Sequence, residues 1–142
     1  MKNRTKNYPL YETTVFEDFR IMTENVAKKY PDRIAYSFKE NPHKKEVTRK
    51  TFKETREYII SMGTGLVAEG VREKHIAIVG EASYNWVTSY YATMSIGAVT
   101  VPIDKELPAE DILSIIESAE CEFVIYSSVI DAKIKTIREK IS

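Results

Sequence analysis

The chain of 142 residues carries 21 basic and 21 acidic side chains, so no net charge draws it to nucleic acid or to an anionic membrane. Its length suffices for one domain, burying about 70% of the unfolded surface. The single cysteine, Cys121, excludes an internal disulfide and fits a reducing cytosol, so a cytoplasmic location is expected. Two histidines and one cysteine, none closely spaced, leave no basis for a metal site.

Residues 1–13 read as a mobile arm, and 14–142 as one α/β domain. Met1 to Tyr8 is basic and polar with no apolar run behind it, so no signal peptide is expected. Thr14-Val-Phe-Glu17 fits a capping box, opening a helix that would bury Val15, Phe19, Met22 and Val26 and stop before Pro31. Ile34, Tyr36 and Phe38 alternate with smaller or polar residues as in a half-buried strand. Asn41-Pro-His-Lys-Lys is a turn and Glu46 to Arg49 a returning edge strand, giving a hairpin.

Thr51-Phe-Lys-Glu54 repeats the capping-box pattern. Phe52, Ile59, Met62 and Leu66 then fall on one face of a long helix closed by Gly70. Within it Gly63 and Gly65 each cost about 1 kcal/mol against Ala, which implies close approach to a neighbouring element. Val71 to Lys74 reads as a surface link.

The stretch from His75 to Pro102 organises the rest. Ile76, Ala77, Ile78 and Val79 are an apolar run ended by Gly80, the pattern of a strand buried on both faces. Ser83 offers an N-cap hydroxyl, and Val87, Tyr90, Tyr91 and Met94 recur at helical spacing. Gly97 supplies a left-handed helix end, and Ala98 to Val101 form a second buried strand closed by Pro102. Two short strands joined by a helix make a parallel βαβ unit. A transmembrane reading is rejected, because Ser83, Asn85, Thr88, Ser89, Thr93 and Ser95 keep the stretch polar and Gly97 and Pro102 divide it.

Beyond it, Pro108 suits a first helical position, with Glu110 and Asp111 in the first turn against the helix dipole. Ile112, Ile115, Ile116 and Ala119 form that helix's buried stripe, and Phe123 to Tyr126 is another strand. Ser128-Val-Ile-Asp131 caps a last helix with the stripe Ile130, Ile134, Ile137 and Ile141. The expected fold class is α/β: an open layered sheet of parallel βαβ units flanked by helices, with an N-terminal helix and hairpin appended.

Gly80-Glu-Ala-Ser-Tyr-Asn-Trp followed by Gly97-Ala-Val-Thr-Val-Pro-Ile-Asp resembles the N-terminal region of AMP-forming acyl-CoA synthetases, adenylate-forming ligases of the AMP-binding family. The likeness is greatest to the long-chain fatty acid branch. Tyr30-Pro-Asp-Arg-Ile-Ala, Val47-Thr, Gly65-Leu with Gly70-Val, Leu107-Pro-Ala-Glu and Ser118-Ala fall in the family's order, so the resemblance runs from about Phe16 to Ile137. Ala82 and Asn85 depart from the Asn and the acidic residue that the family often has there. The resemblance implies a partial N-terminal subdomain of the ligase fold and a two-step reaction. A carboxylate, fatty or other, attacks the α-phosphate of ATP and releases pyrophosphate; the thiol of coenzyme A then takes the acyl group and releases AMP. Mg would neutralise the phosphates.

A phosphate cradle needs successive free N–H groups, hence clustered glycines, and usually a lysine. The five glycines here, at 63, 65, 70, 80 and 97, are scattered, and the family's Pro-Lys-Gly loop has no counterpart. The family's ribose-binding aspartate, metal-binding glutamate and C-terminal-domain lysine likewise find no match. The expectation is therefore a chain truncated before its phosphate-binding loop, with no catalytic residue, no bound cofactor and a tendency to self-associate. Ligands of open parallel sheets bind beyond the carboxyl ends of the strands, here Gly80-Glu81, Pro102-Ile103 and Tyr126-Ser127. Glu81 and Ser83 are the polar candidates there, although a turn acid and a helix N-cap are the commoner explanation of such residues. Trp86 is a candidate wall of an acyl passage or a core anchor. His75 reads as a boundary residue, and Lys44-Lys45 and the charges of the last helix as solvated surface. Rival readings are a stand-alone, non-catalytic α/β binding module sharing only the architecture, and a structural or regulatory chain that a second polypeptide completes.

Overall fold

A computed structural model describes residues 14–141, with the side chain of Ile141 left out. The arm expected over 1–13, and Ile141 as the end of the last stripe, lie outside what is described. The elements run α1 Phe19–Lys29, β1 Ile34–Phe38, β2 Thr48–Thr51, α2 Phe52–Ala68, β3 His75–Val79, α3 Tyr84–Ser95, β4 Val99–Ile103, α4 Ala109–Ser118, β5 Phe123–Tyr126, a 3-10 turn Ser128–Ile130 and α5 Asp131–Ile141.

β3 lies at the centre of a three-stranded sheet, order β4-β3-β5, with both neighbours parallel to it. Its Ile76, Ala77, Ile78 and Val79 are all at or below 1% exposure, as their unbroken apolar run requires. The strand's period of two divides them between two cores. Ala77 and Val79 pack with Ile112 and Ile116 of α4 and with Ile130, Ile134 and Ile137 beyond β5. Ile76 and Ile78 pack with Val71 and Ala98, and with Leu66, Trp86, Tyr90 and Ile96 from the α2–α3 side. Helices thus cover both faces of the sheet, and the α/β class expected from sequence is the one observed.

Three helices stop in the same way. Gly70 N–H reaches Val67 O and Val71 N–H reaches Leu66 O at the end of α2; Gly97 and Ala98 repeat this on Met94 and Thr93, and Glu120 and Cys121 on Glu117 and Ile116. The second and third lead within a few residues into β4 and β5, and the first into the short Val71 to Lys74 link before β3. Val71 is buried, at 2% exposure, so it contributes to the core, while Arg72 and Glu73 of the expected surface link are exposed.

Several other boundaries differ from expectation. The Thr14 box is not used: Asp18 caps α1 by accepting from Ile21 N–H at 2.7 Å, and Val15 is 88% exposed. An ionised carboxylate is the stronger acceptor at a helix N-terminus. The hairpin forms, with β2 two residues later than expected, and a bulge between Ile34 and Tyr36 breaks the alternation so that Ile34 is exposed. Pro108 stands at the N-cap of α4 rather than inside it. Ser127, not Ser128, caps the 3-10 turn before α5. β4 extends through Pro102 as an outer strand with Val99 exposed, so it is not doubly buried.

The largest difference is in α3. Its buried positions are Tyr84, Thr88, Ser89, Ala92 and Thr93, while Val87, Tyr90, Tyr91 and Met94 are half-buried. The hydroxyls are satisfied locally: Thr88 donates to Tyr84 O at 2.8 Å, Thr93 to Tyr90 O at 2.9 Å, and Thr93 also bonds Thr100 at 2.7 Å. Small residues face the tightest contact. There a Cβ on Gly63 would meet Ile96 Cγ2 at 3.2 Å, whereas one on Gly65 would meet nothing within 4 Å. Close helix approach thus explains Gly63 alone.

Candidate functional site

The carboxyl ends of β3 and β5 lie side by side, since Ser127 N–H continues the ladder onto Val79 O at 3.0 Å. Gly80 permits this: a Cβ there would come within 3.1 Å of Ser127 Cβ. The chain leaves β3 through α3 on one face and leaves β5 through α5 on the other, so a cleft of about 260 Å³ opens between the two strand ends. Glu81, Ser83, Asn85, Trp86, Ser89, Ser127 and Ser128 are among the residues that line it.

Each candidate side chain has a definite setting. Ser83 caps α3, accepting from Trp86 N–H at 3.1 Å, and its hydroxyl remains on the cleft wall. Trp86 stacks on Tyr90 at 5.5 Å with the rings 10° apart; it packs against the core and lines the cleft. Hydrogen bonding from Ser127 holds the Glu81 carboxyl below its ordinary value, with a bond to its own backbone and the Lys105 ammonium adding to this and desolvation opposing it. The other face of Ser127 Oγ accepts from Val129 N–H at 3.2 Å. Oε2 of Glu81 is shielded from solvent without a hydrogen-bond partner. The cleft therefore presents an anionic group among hydroxyls and an amide, suited to a ligand rich in donors.

Two of the three strand ends anticipated from sequence meet here, Gly80-Glu81 with Tyr126-Ser127, while Pro102-Ile103 does not line the cleft. Asn85, Ser89 and Ser128 were missed. Ser89 is the i+4 neighbour of Asn85, so helical spacing alone carries that signal. Ser128 depends on which strand adjoins β3, which spacing does not reveal.

The lining residues do not fit an ATP phosphate tail. They include one glycine, no lysine and no arginine, and the carboxylate of Glu81 would repel the phosphates. Among the described residues no group of three or more His, Cys, Asp or Glu is gathered for a magnesium ion. His75 lies at the opposite end of β3, its Nδ1 2.6 Å from Ala119 O, and burial pushes the Cys121 thiol up. Lys133 corrects the expectation of a wholly solvated last helix, for its ammonium donates to Lys105 O at 2.7 Å and Leu107 O at 2.9 Å. No described helix is long and apolar enough to cross a membrane.

The chain is 26% identical over 120 residues to a mitochondrial medium-chain acyl-CoA ligase of Danio rerio, a match covering 84% of this chain and 18% of that protein. It is 27% identical over 118 residues to one of the mycosubtilin synthase polypeptides of Bacillus subtilis, covering 82% of this chain and 4% of that one. The chain thus spans less than a fifth of these relatives. Its fold superimposes with a TM-score of 0.78 on the N-terminal domain of FACL13 from Mycobacterium tuberculosis, at 23% identity, covering 87% of this chain and 30% of that one. A family model described as AMP-binding enzyme matches residues 23–141, and the chain belongs to that family.

Proposed function

We propose that this chain is the N-terminal scaffold of an ATP-dependent, AMP-forming carboxylic acid–CoA ligase acting on a fatty acid. The observation that carries this is the family match over residues 23–141, joined to the ordered motifs around Gly80 and Gly97. In this reading the sheet and its flanking helices hold one wall of the acyl or coenzyme A passage at the β3–β5 cleft. Glu81, Ser83 and Trp86 face that passage, while the groups that grip ATP, magnesium and the reacting carboxylate belong to sequence other than these residues. The poor fit of the cleft to a triphosphate supports this division.

Two measurements test the reading. The 142-residue chain alone is expected to give no carboxylate-dependent exchange of pyrophosphate into ATP; exchange at ordinary enzyme concentrations would place the catalytic apparatus here and overturn it. Sequencing the coding DNA past codon 142 should reveal an open frame with a Ser/Thr/Gly-rich loop and Pro-Lys-Gly. The extended product should then form acyl-adenylate and, with coenzyme A, the thioester. A stop codon there would favour the stand-alone binding module.

A further inference from the structure

A second cavity lies apart from the cleft, lined from α1, β1, α2 and α3 and open to solvent on one side, with a volume of about 100 Å³ and no lining residue in common with the first. Its walls are apolar, from Met22, Val26, Phe52 and Ile59, with the Tyr36 and Tyr91 rings closing the sides. Three polar side chains other than the tyrosines break that surface; the Thr23 hydroxyl is used, donating to Arg20 O at 3.0 Å, which leaves Thr55 and Arg56. Thr55 is 6% exposed, and its Oγ1 is buried without a hydrogen-bond partner. Arg56, the next residue, has its Nε buried and equally unpartnered. A helical threonine commonly bonds a carbonyl one turn back, as Thr64 does here to Ile60 O at 2.8 Å, whereas Thr55, near the start of α2, leaves its hydroxyl idle. Folded proteins leave few such groups unsatisfied, and each calls for an explanation.

The charge around Arg56 is also incompletely balanced. Glu24 is its acidic neighbour, but that carboxylate already pairs with Lys28 at 2.6 Å, and Arg20 adds a like charge nearby. The cavity therefore offers two unused donors, one cationic, above an apolar floor. An apolar cavity on the order of 150 Å³ admits benzene. One of about 100 Å³ admits a smaller molecule.

We propose that this cavity binds a short aliphatic carboxylate of about four carbons, its oxygens accepting from Thr55 Oγ1 and Arg56 and its alkyl group lying against Met22, Val26 and Ile59. The site is accessory: it does not depend on the role proposed for the cleft.

The test is a titration of the full chain, carrying ¹³C-methyl labels on isoleucine and methionine, with isobutyrate followed by NMR. Saturable shifts confined to Ile59 and Met22 and their neighbours are expected. Affinity should fall at least tenfold in Arg56→Gln and in Thr55→Val, and at least tenfold when isobutyramide, the neutral isostere, replaces isobutyrate. Shifts that never saturate, shifts spread over the surface, or equal binding of the amide would overturn the proposal. So would ordered water left undisplaced in the cavity by isobutyrate. Should Thr55→Val fail to fold, the amide comparison on the unaltered chain decides.

Discussion

Glu120 adopts φ 51° at the turn where Gly70 and Gly97 adopt 80° and 78° after their own helices. A side chain in that region crowds the backbone, at a cost of about 1–2 kcal/mol, while glycine carries no such penalty. Glu120→Gly should therefore stabilise the chain by about 1 kcal/mol in urea unfolding, after allowing for the freer unfolded chain. No change, or a loss, would mean that Glu120 makes a contact outweighing the strain. The two glycines were legible as helix ends because glycine signals the conformation; a glutamate in the same place signals nothing. Glu81 supports a second prediction. Its folded pKa lies below the ordinary 4.5, so it contributes stability that is present above that value and lost as pH falls through the folded one. Glu54, held down by Thr51, and Asp131, held down chiefly by Lys135, act in the same direction. Tm should decline on acidification below about pH 4.5, and Glu81→Gln should make that decline shallower. An identical acid limb in the variant would remove Glu81 from the account.

Among the elements, the starts of α2 and α3 were legible, at Thr51 and Ser83. Glu54 N–H donates to Thr51 Oγ1 at 3.1 Å, and Thr51 N–H donates to Glu54 Oε2 at 2.8 Å. Thr51→Ala should cost about 1 kcal/mol of stability, measured by chemical denaturation, because it leaves orphan donors at the helix start. A loss below a few tenths would show that water replaces the cap without penalty. The same four-residue pattern misled at Thr14, where Asp18 is the cap, because a capping box identifies a possible helix start but does not rank it against a carboxylate four residues on. The α3 stripe was misread for a different reason. Periodicity finds the most apolar face, yet a helix covered by the sheet on one side and α2 on the other puts its smallest residues at the closest contact, and those are threonine, serine and alanine. β3, buried on both faces, has no such ambiguity, and its extent was read within one residue.

At the scale of the molecule, the sheet has two outer strands and no described strand beside either of them. The order β4-β3-β5 was not legible, since short apolar runs carry no record of which neighbour they pair with; the cleft depends on that order, so only its separate ends could be named in advance. The same order has a consequence in solution. β4 and β5 each leave backbone N–H and C=O groups along one side available to another strand. Apolar side chains accompany them: Val99 on β4 is 49% exposed, Tyr126 on β5 40%, and Val129 just beyond it 69%. With 21 charges of each sign there is no net repulsion to keep copies apart. The isolated chain should therefore self-associate, its mass by light scattering rising with concentration. Val99→Lys places a charge on one open edge, which is how natural sheets discourage pairing, and should lower the mass at a given concentration. A constant monomer mass across the range would mean that these edges are already covered, and an unchanged association in Val99→Lys would move the contact away from β4.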